Sequence, residues 1–461
     1  MKFNFLRRTS VQTFRIRKLN GGINLSDEPY RVGDNQLTGG VNVWFENGTL
    51  KTRPGIAAKD TAIVRYAGLN PAGEIIFKGE KYRVLTALDS PLRVKIFFLS
   101  KQMVLEAGTL LFDKRPERIF FYSAGEAYAI AAFEDKSNVY IFCEDTGEWS
   151  IKAELAVKTE NVISFGGTVF LTEGNRMFAA EDYAPHKFCE LCSVGNREKI
   201  TGFLEYKEKL IVFKESAVFI FDLVSRDLFQ ICEIGCNNPK TAVNCGGYPI
   251  WLSPNNEVCL FNGRVISVLC PLASELGKNK FAIDVNGCYL LISGQKAVII
   301  DTAETEKLKC FCWDFGDIRL LCGLPGGNGI IAFYGDVCCA AVFEGYTDII
   351  RLPDGKILKK KIKCGFSTKN FDFGISEKKQ LENIFISVAA KGQIEVSING
   401  RNTERINLGL PDIDNGCGTF KSVRIIPHMH AVRSVYITLK ADDAFSLDEI
   451  MIYFRNAVLR G

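Results

Sequence analysis

The chain has 461 residues, 47% of them apolar and 24% charged, with a net charge of +4. This balance excludes a disordered or fibrous chain and is too small to mark the whole protein as a nucleic-acid binder. No run approaches the roughly 18 apolar residues of a membrane span, and the first twenty residues lack the apolar core of a leader, so a soluble protein with neither is expected. In chain order, residues 1–18 come first, with Lys2, Arg7, Arg8, Arg15, Arg17 and Lys18 and no acid. Six cations against a total of +4 leave the remaining residues at −2, so the basic excess sits on this tail. Phe14 and Ile16 alternate with Arg15 and Arg17, which predicts an extended segment with one apolar and one cationic face. Such a strand is unstable alone and is expected to order on a partner's sheet edge or along an acidic channel.

The next segment, Asn20-Gly-Gly-Ile-Asn-Leu through Asn42-Val-Trp44 to Arg53-Pro-Gly55, is dominated by glycine and Asx residues. It predicts an irregular arm that ends in a hairpin at Asn47-Gly48 and feeds the first strands of a larger unit. Asn-Gly recurs at Asn20, Asn47, Asn262, Asn286, Asn328, Asn399 and Asn415. A type I′ turn needs positive φ at both central residues, so these dipeptides between apolar runs signal hairpins in series.

From about residue 60 to 355 the chain repeats loosely every 40 residues or so. The clearest unit is Gly287-Cys-Tyr-Leu-Leu-Ile-Ser-Gly-Gln-Lys-Ala-Val-Ile-Ile-Asp301, continued by Lys309-Cys-Phe-Cys-Trp313. Similar strand–turn–strand cores lie at 167–178, 209–222 and 250–261. This period fits four-stranded propeller blades, each of which buries its faces by stacking on its neighbours. The basic cluster Lys356, Lys359, Lys360, Lys361 and Lys363 marks a change of character. Beyond it, runs such as Ile384-Phe-Ile-Ser-Val388 and Val435-Tyr-Ile-Thr-Leu439 alternate with period 2, as strands with one buried face do. The predicted fold is therefore all-β: a propeller of about seven blades followed by a small C-terminal β-sandwich. The expected divisions are an extended arm and anchoring hairpin over 1–58, the propeller over 59–358 and the sandwich over 359–461.

Chemistry-bearing patterns are sparse. The histidines are His186, His428 and His430, and no phosphate-binding glycine loop, HExxH or GxSxG motif occurs. The sixteen cysteines are diluted through strand-like runs and read as buried reduced thiols of a protein that folds in a cytoplasm. His186-x-x-Cys189-x-x-Cys192, with Cys232 and Cys236 further on, has metal-ligand spacing, but residues three apart on a strand face opposite sides and no knuckle flanks them. Asp145-Thr-Gly-Glu-Trp149 is similar to the hairpin-ending turn of sialidases, itself a structural element. No catalytic residue, cofactor or metal is expected.

An opening of Gly21-Gly22-Ile-Asn24-Leu, then Asn42-Val-Trp44 and Arg53-Pro54-Gly55 ahead of a long β-rich chain, resembles tailed-bacteriophage virion proteins, the β-propellers of the head-to-tail region, tail hub or nozzle. The likeness is specific over 20–56 and extends to Gly246-Gly-Tyr-Pro-Ile-Trp-Leu-Ser253. It implies a structural role in a ring around the DNA exit channel. Gly21, Gly22, Asn24, Asn42, Trp44, Arg53, Pro54 and Gly55 would anchor the arm, and Arg15 and Arg17 would serve the interface. The implied partners are further copies in a homo-oligomeric ring, portal, adaptor or tail proteins, and packaged DNA through non-specific contact. The implied place is the virion, after synthesis in the bacterial cytoplasm. The alternative from another class is a carbohydrate-binding or glycan-cleaving propeller that recognises the host surface, for which an aromatic platform would speak.

Overall fold

The computed structural model describes residues 10–59, 63–64, 69–101, 104–303, 308–352, 354–408, 419–427, 429 and 431–457. Lys2, Arg7, Arg8, His428, His430 and Asn415, named above, lie outside them, as does one of the sixteen cysteines, Cys417. The chain is a β-propeller joined to a β-sandwich. Helix among the described residues is confined to the single turns Pro239–Thr241 and Pro271–Ser274.

Seven blades follow one another over 70–111, 118–155, 161–193, 200–232, 243–269, 281–314 and 318–343. Their innermost strands neighbour each other in sequence, and the first, Asn70–Phe77, also meets the last, Ile318–Gly323, which closes the ring. Blade six illustrates why the sequence folds so. Its second and third strands, Cys288–Ser293 and Lys296–Asp301, are apolar almost throughout because neighbouring blades cover both faces. Its first strand, Phe281–Val285, alternates between buried and half-buried residues. Asn286-Gly287 makes the turn between the first two with positive φ at both residues, as do Asn47-Gly48 and Asn399-Gly400. At Asn20, Asn262 and Asn328 the pair of positive φ values is missing, so Asn-Gly there marks other turns.

The N-terminal segment differs from the expected free-standing arm. Strand β1 (Gln12–Arg17) pairs antiparallel with Phe445–Asn456, from Gln12 opposite Phe454 to Arg17 opposite Glu449. Strand β2 (Leu37–Val41) pairs with Cys364–Thr368. The hairpin of β3 (Val43–Glu46) and β4 (Thr49–Thr52) joins the same Phe445–Asn456 strand through Leu50 and Lys51. Strand β5 (Ile56–Ala58) then runs beside Ala341–Phe343, so that residues 56–58 form the outer strand of blade seven and fasten the ring. The physical reason is the free edge: an apolar–polar alternating strand pairs with an open edge of its own chain as readily as with a partner's. The basic stretch at the expected change of character is also a strand, Ile357–Lys361, hairpinned to Thr347–Arg351, which pairs in parallel with β5.

The sandwich thus draws strands from both ends of the sequence. One sheet holds β3, β4, Phe445–Asn456, Lys379–Ala390 and Lys421–Ile425, with β1 also paired to Phe445–Asn456. The other holds β2, Cys364–Thr368, Ile437–Ala441, Gln393–Ile398 and Arg401–Asn407. Ile384, Ile386, Val388, Ile450 and Ile452 face Phe366, Val396, Ile437 and Leu439 in a core that continues into blades six and seven through Trp44, Trp313, Phe315 and Phe343. Each such side chain contributes about 1.5–3 kcal/mol on burial, so the two units share one apolar interior instead of meeting at a polar seam.

Candidate functional site at the junction of arm, propeller and sandwich

Five of the expected anchoring residues converge where β2 ends and β5 begins. Asn42 takes a left-handed conformation (φ 58°), which turns the chain between β2 and β3. Its N–H donates to the Cys312 carbonyl of blade six (2.8 Å) and its amide group donates to the Lys363 carbonyl (2.8 Å). Its side-chain oxygen accepts from Arg53 Nε (3.0 Å) and from the Asp314 N–H (2.7 Å). One Asn therefore ties arm, blade six and sandwich entry together.

Arg53 is 1% exposed. Its two terminal nitrogens donate to both carboxylate oxygens of Asp348, at 3.0 and 2.8 Å, and further bonds reach the carbonyls of Pro54 (2.9 Å) and Asp314 (3.3 Å). The guanidinium lies 4.4 Å above the Phe315 ring. Asp348 also accepts the Ile56 N–H (2.9 Å), so the carboxylate holds both the arginine and the first residue of β5. A forked, fully bonded pair suits arginine and not lysine. Gly55 lies so close to Thr347 that a Cβ would collide with its main chain. Trp44 packs edge-on against Trp313, 5.8 Å between ring centres, and Lys51 of β4 pairs with Glu46.

Gly21, Gly22 and Asn24 form a second knot on the same outer strand of blade six. Ile23 donates to the Cys310 carbonyl (2.7 Å), and a Cβ on Gly22, itself at φ 75°, would lie 2.5 Å from the Cys310 nitrogen. The Gly21 N–H donates to the Asn35 carbonyl (2.8 Å), and the Asn24 side chain bonds Asp27, Gln36 and the Ser26 and Asp27 amides, which rolls the loop onto itself. Arg15 and Arg17 lie apart from both knots on β1, facing outward; Arg17 pairs with Glu449 at 2.6 Å and remains 57% exposed. Asp348 carried no signal in the sequence: an acid in an apolar run, 295 residues from its partner, shares no local pattern with it.

The remaining candidates have structural placements. His186, Cys189 and Cys192 share one outer strand of blade three, where Cys189 donates to Glu181 (3.2 Å) and Cys192 stands opposite Met177; Cys232 and Cys236 belong to blade four and its exit. Trp149 closes a hairpin of blade two and donates to the Ala107 carbonyl (2.7 Å). Trp44, Trp251 and Trp313 are buried and Trp149 is half-buried, so the tryptophans are packing residues and not a sugar platform.

Two buried lysines were also missed. Lys214 donates to the carbonyls of Val194 and Asn196 and to the Asn196 side chain; Lys379 donates to those of Ile375, Glu377 and Arg433. Burial lowers both amines below the usual lysine range. A groove of about 890 Å³ lies on the outer face of the β2-containing sheet, lined by Gly39, Gly365, Ser367, Glu395, Arg405 and Lys440. Its floor is bare because glycine and hydroxyl residues occupy the outward positions there.

No family model matches the chain, and no curated protein matches it. Among solved structures, virginiamycin B lyase from Staphylococcus aureus is similar at 11% identity and a TM-score of 0.39, covering 59% of this chain and 94% of its own. U3-55K is similar at 9% identity and a TM-score of 0.41, covering 62% and 99%.

Proposed function

We propose that the protein is a structural component of a tailed-phage or prophage virion, a subunit of the portal-proximal tail as hub, nozzle or connector, and not an enzyme. The observation that carries this reading is that the segment bearing the phage likeness, 20–55, spends its distinctive side chains on internal bonds that fix a closed ring to a sandwich. Asn42, Arg53 and Asp348 have their polar groups directed at one another and at main-chain atoms, an arrangement for holding parts together. On this reading the protein is made in the bacterial cytoplasm, assembles into a homo-oligomeric ring with portal, adaptor or tail proteins, and presents Arg15 and Arg17 to acidic neighbours or packaged DNA. The glycan-recognition alternative has no tryptophan platform to rest on. Negative-stain microscopy of the purified protein at high concentration, alone and with the product of an adjacent portal gene, tests the proposal. Rings of defined symmetry or a portal complex are expected; a monomer that binds no virion partner but is retained on host-surface glycan would overturn it.

A further inference from the structure

Among the described residues most thiols lie singly in strands, but two face each other. Cys270 sits at the exit of blade five and Cys310 in the outer strand of blade six, with their sulfurs 3.8 Å apart. Both are buried, 1% and 7% exposed, in the apolar cluster that joins the two blades. The main chain on each side is held: the Cys270 N–H donates to the Asn256 carbonyl (3.2 Å), and the Cys310 carbonyl accepts from Ile23 of the N-terminal segment (2.7 Å). The two sulfurs are not equivalent. The hydrogen bond with Cys310 and the nearby Lys280 ammonium hold the Cys270 thiol below the usual range against the opposing effect of burial, whereas its bond to Cys270 and its own burial push Cys310 up.

We propose that Cys270 and Cys310 are a paired oxidation site, at which a small peroxide converts the two thiols into a disulfide that staples blade five to blade six beside the N-terminal knot. The Cys270 thiolate attacks one oxygen of hydrogen peroxide, breaking the O–O bond to give the sulfenic acid and hydroxide. The Cys310 sulfur then attacks the Cys270 sulfur, the S–O bond breaks, and the Cys310 proton leaves with the departing oxygen as water. In total two thiols lose two electrons and two protons, and one peroxide becomes two waters. A water-sized oxidant matches the burial of the pair, and the sulfurs have less than 2 Å to close to reach bonding distance. The joined residues are 40 apart in sequence, so the bond restrains a long loop of the unfolded chain.

The test uses the full chain with Cys143→Ser and Cys189→Ser, which removes the two thiols that are exposed among the described residues. After treatment with hydrogen peroxide, peptide mapping without reductant is expected to give a linked peptide containing Cys270 and Cys310, with the loss of two hydrogen atoms and reversal by dithiothreitol. A rise in Tm of a few degrees should accompany it. Adding Cys310→Ser should stop the reaction at a Cys270 sulfenic acid that dimedone traps. Recovery of both residues as alkylatable thiols after treatment, or links formed instead between other cysteines, would overturn the proposal; the mapping needs no Cys270 or Cys310 variant, so misfolding of one cannot obscure it.

Discussion

Two arginine–carboxylate pairs hold the N-terminal segment, and they differ in almost everything except chemistry. Arg17 meets Glu449 at the rim of the sandwich, 57% exposed, on a strand that pairs with Phe445–Asn456 alone among the described residues. Arg53 meets Asp348 inside the junction, 1% exposed, with every carboxylate oxygen in use. In water the first pair competes with solvent and gains little. The second cannot be compared with hydration: removing one partner strands the other in a low-dielectric interior. The number of bonds matters less than what surrounds a pair once it is broken.

The largest effect is therefore expected for Arg53→Ala, which leaves the buried Asp348 carboxylate without its counter-charge and Asn42 with one donor fewer, and should cost about 3–5 kcal/mol by chemical denaturation. Adding Asp348→Leu should restore part of that loss, because the stranded charge goes with it; a double variant worse than the sum would break the comparison. Deleting residues 1–18 comes next. Strand β1 covers Phe445–Asn456 and buries Ile16, with Phe14 against Phe371 and Phe373, so the loss should be about 2–4 kcal/mol, read as a lower Tm. An unchanged Tm would mean that β1 is a tail in solution.

Alkaline pH provides a test of burial itself. Cys236, Cys322 and Cys339 are pushed up to about 11 by burial, whereas thiols of the unfolded chain ionise near 9. Between those values the folded state holds more protons than the unfolded one, so stability is full below pH 9 and is lost as pH rises toward 11. The slope should be about 1.4 kcal/mol per pH unit for each thiol. A flat profile across that window, measured by urea denaturation, would show the thiols to be solvated. The smallest effect belongs to Arg17→Ala, at about 0–1 kcal/mol and declining with salt.

Much of the propeller was legible because its middle strands are covered on both faces. The units picked out at 167–178, 209–222, 250–261 and 287–301 are in each case the second and third strands of a blade. Such strands are continuous apolar runs, which sequence patterns reveal best. The destinations of β1, β2 and β5 were not legible, because pairing Ile16 with Ile450 or Ala57 with Val342 depends on free edges hundreds of residues away. At the junction, Asn42, Trp44, Arg53, Pro54 and Gly55 were marked by the resemblance to phage virion proteins. Asp348, which gives Arg53 its meaning, did not, since one acid among strand residues looks like any other.

The central claim is that residues 56–58 are a structural strand of the propeller, locked by Arg53 and Asp348, whereas residues 12–17 are a peripheral one. Native-state hydrogen exchange read by mass spectrometry compares them directly. The account predicts that peptides covering Ile56–Ala58 exchange only through global opening, with protection like that of Ile330–Ala332 in the middle of blade seven, and that Gln12–Arg17 exchange earlier through local opening. Fast exchange at Ile56–Ala58 while the middle of the blade stays protected would contradict it.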